Sequence, residues 1–86
     1  MAEYRLTVKP SAAKDLDRLD ERVASRVIPK IKALASDQRP PGVKKIKGQL
    51  DLWRIRVGDW RVIYAIDDGK RIVDIVYIRH RSKAYE

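Results

Sequence analysis

Eighty-six residues supply one hydrophobic core and leave no room for a second, so a single domain over 1–86 is expected. With no cysteine and one histidine, disulfides and thiolate metal sites are excluded and an imidazole-based site is improbable, so neither metal nor cofactor is expected. Lys and Arg exceed Asp and Glu by 20 to 12, a formal net charge of +8, which points to nucleic acid first, an acidic protein second and a membrane surface a poor third. No apolar run nears membrane-spanning length and no signal-peptide pattern opens the chain, so a cytosolic protein without a membrane partner is expected.

Tyr4 to Lys9 alternates Tyr4, Leu6 and Val8 inward with Arg5, Thr7 and Lys9 outward, the pattern of a half-buried strand. Pro10 ends it and Ser11 offers an N-cap, predicting a short helix over Ala12 to Leu19 with Ala12, Leu16 and Leu19 on its buried side. Asp20 caps a second helix whose core stripe is Val23, Val27, Ile28, Ile31, Leu34 and Ala35. Pro29 removes one hydrogen bond there, at about 3 kcal/mol in a regular helix. The apolar period runs through it unbroken, so a kink near Ser25 to Pro29 is expected rather than two helices. Asp37 to Gly42 is a loop by composition, and Val43 to Gly48 a short strand or extended lead-in.

Two alternating runs, Trp53 to Val57 and Trp60 to Ile66, flank Gly58-Asp59, the signature of a type II′ hairpin. A two-residue loop sets Val57 opposite Trp60, Arg56 opposite Arg61, Ile55 opposite Val62, Arg54 opposite Ile63 and Trp53 opposite Tyr64. One face is then apolar, built from Trp53, Ile55, Val57, Trp60, Val62 and Tyr64, and the other carries Arg54, Arg56 and Arg61. Like charges facing each other across strands destabilise the pair by up to ~1 kcal/mol. Three arginines with no acid among them therefore point to a bound phosphate, against the plainer reading of a solvated sheet face.

Asp68-Gly69 marks a second turn, which if two residues long sets Val62 opposite Ile75, Tyr64 opposite Val73 and Trp60 opposite Tyr77 on the core face. The fold class that follows is α+β: strand, helix, helix, strand, strand, strand. Its mainly antiparallel sheet has both helices on one face, leaving the other open and basic. Strict alternation along the last strand places His80 on the Arg61 face and Arg79 on the core side. A charged residue will not stay there, so the strand is expected to end or bulge near Ile78 and swing Arg79 outward. The pattern leaves open which of Arg79 and His80 points into the site. His80 and Tyr85 are the groups near the cluster able to exchange a proton near neutral pH, and surrounding positive charge favours neutral imidazole and easier phenolate formation.

The segments KKIKG, LWRIRVGDWRVIYAI and IVYIRHRSKAY, with SAAKDL at the first helix, resemble the RelE branch of the RelE/ParE toxin superfamily over nearly the whole chain. The resemblance implies a metal-free, ribosome-dependent mRNA endonuclease. Such an enzyme cuts the codon in the ribosomal A site by attack of a ribose 2′-hydroxyl on the adjacent phosphate, leaving a 2′,3′-cyclic phosphate and a 5′-hydroxyl. It assigns Arg54 and Arg56 to the basic positions of the first hairpin strand, Arg61 to the arginine on the scissile phosphate and Arg79 to a second phosphate-stabilising arginine. Arg81 and Lys47 are further substrate-binding positions, Tyr85 stacks on a base or assists proton transfer, and His80 matches a histidine of many relatives. Some relatives carry lysine where Arg54 and Arg56 stand, and a guanidinium cannot be deprotonated in a protein. These two can clamp phosphate but not act as base, which leaves Tyr85 or His80 for that part and Arg61 with Arg79 for the transition state.

Two rival readings are a ParE-like inhibitor of DNA gyrase with the same fold and a nucleic-acid-binding module without activity. In either toxin reading an acidic antitoxin, partly helical, is expected to wrap the helices and block the basic face or displace the tail.

Overall fold

The computed structural model describes residues 3–48 and 51–83. Its elements are β1 (Arg5–Val8), α1 (Pro10–Arg18), α2 (Glu21–Ala33), β2 (Lys44–Lys45), β3 (Leu52–Val57), β4 (Trp60–Asp67) and β5 (Ile72–His80). They form one five-stranded sheet in the order β1-β5-β4-β3-β2, with β1 parallel to β5 and every other pair antiparallel. Ala12, Val27, Ile31 and Leu34 from the helical side meet Ile55, Val57, Val62, Tyr64, Ile66, Val73, Ile75 and Ile78 in one core, so both helices lie on one face of the sheet. Each such aliphatic side chain, fully buried, contributes roughly 1.5–3 kcal/mol.

The β3–β4 hairpin has the expected register at every pair, from Trp53 opposite Tyr64 to Val57 opposite Trp60. Gly58 has φ +60 while Asp59 keeps a negative φ, the combination that a type II′ turn requires. Trp53 and Trp60 are half-buried against the core, on the side that the alternation assigned them.

Several expectations are corrected. The first helix starts at Pro10, whose missing N–H costs nothing in a first turn, and Lys9 is its N-cap residue with no side-chain hydrogen bond to the helix. Ser11 is therefore inside the helix, and its hydroxyl donates instead to the Val76 carbonyl at 2.6 Å. Asp20 does cap α2, accepting from the Val23 N–H at 2.8 Å, and the helix runs through Pro29 without interruption. Ile28 is 39% exposed and so falls off the core stripe, as Val8 does at the open end of β1. The lead-in over Val43 to Gly48 contains only the two-residue strand β2.

The largest correction concerns the second turn. Asp67 pairs with Ile72, so four residues connect β4 and β5, with Arg71 at φ +56 and the Asp67 carboxylate accepting from the Lys70 N–H at 3.0 Å. Val62 consequently faces Ile78, Tyr64 faces Ile75, and Trp60 faces His80. The register shifts between Ile63 and Tyr64, whose partners are Tyr77 and Ile75, leaving Val76 as an extra residue. A bulge was expected near Ile78; it lies two residues earlier and inverts the phase of the rest of β5. Beyond it, Tyr77 and Arg79 join the face of Ile63 and Arg61, while Ile78 and His80 turn toward the helices.

Candidate nucleic-acid interface

The hairpin register and the bulge together bring three arginines into one row. Arg56 on β3 faces Arg61 on β4, and Arg61 faces Arg79 on β5. Adjacent strands lie about 4.8 Å apart, so the row spans roughly 10 Å across the face away from the helices. The next row on that face holds Arg54, Ile63 and Tyr77. The face was expected to be open and basic, and it is open only in part: Ile63 is 1% exposed and Arg61 9%, while Arg56 is exposed and Arg54 half-buried.

Arg61 is the most constrained member. Its Nη1 donates to the Gly58 carbonyl at 3.2 Å and to the Trp60 carbonyl at 3.0 Å. This holds the guanidinium against the turn and, among the described residues, leaves the Nε–Nη2 edge without a hydrogen-bond partner, the fork that matches a phosphate. Burial and then the charges of Arg56, Arg54 and Arg81 lower the Arg61 pKa, partly offset by Asp59. The group remains a cation, so the same field that lowers its pKa favours an anion beside it.

Arg79 lies with its guanidinium carbon 4.7 Å from the centre of the Tyr77 ring, and its Nε is 3.9 Å from the Asp15 carboxylate of α1. Arg81 extends the pairing past β5, its N–H donating to the Asp59 carbonyl at 2.7 Å and its Nε lying 3.8 Å from the Asp59 carboxylate. Arg26 of α2 reaches the other side of the hairpin tip, where a Cβ on Gly58 would stand 3.0 Å from its Nη2.

His80 and Lys47 stand apart from this row. His80 stands on the helix side, edge-on to Trp60 with ring centres 5.4 Å apart, and its Nδ1 is 3.0 Å from the Ser82 hydroxyl. There it lines a recess of about 180 Å³ with Val23, Arg26, Val27 and Asp59. Between Arg79 and His80, the alternatives left open by the pattern, the register puts Arg79 on the arginine face. Lys47 lies exposed in the turn after β2, outside the ladder. Tyr85 lies outside the described residues.

Tyr77 was missed, having been assigned to the core face opposite Trp60. The signal for it was its position two residues before Arg79: whatever swings one outward carries the other along.

The family described as the ParE toxin of the type II toxin–antitoxin system parDE matches residues 6–85. The chain is 35% identical over 83 residues to Toxin RelE of Mycobacterium tuberculosis, covering 95% of this chain and 86% of that protein. This chain belongs to the RelE/ParE toxin superfamily. Within the superfamily it is also similar to the putative toxin RelE1 of Methanocaldococcus jannaschii, at 32% identity over 77 residues, covering 90% of this chain and 77% of that one. The RelE–RelB complex of Pyrococcus horikoshii has a matching fold at TM-score 0.82 and 28% identity, over 95% of this chain and 99% of that one. The RelBE2 toxin–antitoxin complex of Mycobacterium tuberculosis matches at TM-score 0.80 and 25% identity, over 92% and 99%. The protein is thus a RelE-type toxin of a toxin–antitoxin system, a class whose relatives are seen bound to RelB-type antitoxins. Among the described residues no helix is long and apolar enough to cross a membrane.

Proposed function

We propose that this RelE-type toxin is a ribosome-dependent endoribonuclease that cuts mRNA in the A site and is held inactive by a cognate acidic antitoxin. The observation that carries this reading is the in-register row Arg56, Arg61, Arg79. Backbone cleavage through a ribose 2′-hydroxyl forms a bond from the 2′-oxygen to phosphorus and breaks the bond from phosphorus to the 5′-oxygen. Negative charge builds on the phosphorane, and the guanidiniums of this row supply what that charge and its neighbouring phosphates need.

Arg61 takes the scissile phosphate, its free edge already oriented by the two carbonyls behind it. Arg79 stabilises the same charge from the next strand, and Arg54, Arg56, Arg81 and Lys47 bind flanking phosphates. None of the arginines can accept the 2′-hydroxyl proton. His80 faces the helices, so that part falls to Tyr85, and the proton is returned to the departing 5′-oxygen to leave a 5′-hydroxyl. An acidic antitoxin segment neutralises this face between uses.

The test is a translation extract programmed with a defined mRNA and given either the purified protein or Arg61→Ala, with transcript ends mapped. Cuts inside codons with 5′-hydroxyl ends are expected, dependent on ribosomes and reduced about 10²- to 10³-fold by Arg61→Ala. Intact mRNA with normal translation overturns the nuclease. The matched family carries the ParE description, so inhibition of gyrase supercoiling is the assay that would then establish the other reading.

A further inference from the structure

The bulge at Val76 delivers an aromatic ring to the arginine face, and no part of the phosphate chemistry uses it. Tyr77 sits opposite Ile63, one row from Arg61 and Arg79, half-buried and outside the hydrophobic core. Ile63, between Arg54 and Tyr77 in the same row, is 1% exposed, so the row has a packed apolar centre beside the arginines. The guanidinium carbon of Arg79 lies over the Tyr77 ring at 4.7 Å, so cation and ring form a cation–π pair on one strand. Single-stranded nucleic acid is bound by this pairing of features: cations that follow the backbone and an aromatic or guanidinium plane on which a base lies.

We propose that the Tyr77–Arg79 pair is a ledge for a nucleobase of single-stranded RNA, adjoining the phosphate held by Arg61 and Arg79. The proposal rests on RNA being the ligand of this face and adds the element that holds a base. A phosphate-only clamp needs no ring here, and a solvent-facing strand position tolerates a smaller residue. The ring stacks by its face, so the ledge accepts any base, with a preference for the larger purine surface.

The experiment is equilibrium binding of the full chain to a labelled single-stranded RNA with 2′-O-methyl riboses, which cannot be cut, and to an abasic oligomer of equal length and charge. The wild type is expected to bind the RNA about tenfold more tightly than the abasic strand. Tyr77→Ala should reduce RNA binding to the abasic level and leave abasic binding within about twofold, while Tyr77→Phe keeps the preference. If Tyr77→Ala does not fold, Tyr77→Ile removes the ring with a strand-favouring side chain and decides the same comparison. A preference for bases that survives loss of the ring overturns the ledge. So does an equal fall for both ligands, which would make Tyr77 only a support for Arg79, or a wild type that does not distinguish them. Base-dependent binding with no cleavage in the extract would sink the nuclease and leave the ledge standing.

Discussion

A single arginine shows how the hairpin fixes a cation in place. Arg61 donates through Nη1 to the Gly58 and Trp60 carbonyls, so a flexible side chain is fixed before any ligand arrives, and less entropy is lost on binding. Its type and position were legible in the sequence, because the turn length fixed its register; its burial was not, since the alternation rule says which face a residue takes and nothing of what folds over it. The same register places one of the two proton-transfer candidates. His80 is turned toward Trp60 and α2, so His80→Ala should leave single-turnover cleavage within about threefold of wild type. Tyr85→Phe should lower it by about 10²- to 10⁴-fold, the usual contribution of a positioned acid or base. Rapid-quench cleavage of a programmed ribosome measures both, and the reverse ranking would return the role to His80.

Among the elements, the two connections of the three-strand meander show where local chemistry suffices. Gly58-Asp59 forces a two-residue turn, and its register followed without error. Asp68-Gly69 carries the same kind of signal, yet the turn closes only after Arg71 adopts φ +56, a conformation that nothing in an arginine announces. The bulge at Val76 was half visible: unbroken alternation would have buried Arg79, and that conflict required a break somewhere in β5. Its place depends on which of the apolar residues 72, 73, 75, 76 and 78 face the helices, a matter of tertiary packing. Arg26 stands where a Cβ on Gly58 would project, and Arg61 holds the Gly58 carbonyl. Gly58→Ala should therefore cost about 1–2 kcal/mol in urea unfolding from the positive φ, and it should also weaken cleavage because the Arg61 anchor moves. Unchanged stability would mean that the turn relaxes to another type.

For the whole molecule, the long connection between α2 and β2 is tied down at the end of the sheet remote from the arginine row. The Tyr64 hydroxyl donates to the Gln38 carbonyl at 2.8 Å. Arg39 pairs with Asp68 at 2.8 Å and lies 5.0 Å from the Trp53 ring centre. Burial pushes the Tyr64 phenol above its usual value of 10.0, with the Arg39 charge opposing. A raised phenol pKa contributes stability that is fully present below the unfolded value and is lost as pH rises through the folded one. Wild type should exceed Tyr64→Phe by about 1 kcal/mol at neutral pH, one hydrogen bond's worth, and the gap should close only above pH 10, as read by denaturant melts across pH. A gap that closes below pH 9 would contradict the burial of this phenol.

The helical side chains that meet β5 have a consequence for how the protein behaves in company. Past Val8 the last strand has no neighbour, and an open ladder of this kind is a template on which other chains assemble edge to edge. Here α1 occupies it: the Ser11 hydroxyl satisfies the Val76 carbonyl, and the Asp15 carboxylate accepts from the Ile78 N–H at 2.9 Å. The exposed run on that flank is thereby limited to the four residues of β1, ended by a proline. The longest strand of the sheet thus ends with polar groups of α1 where another copy's strand would otherwise pair.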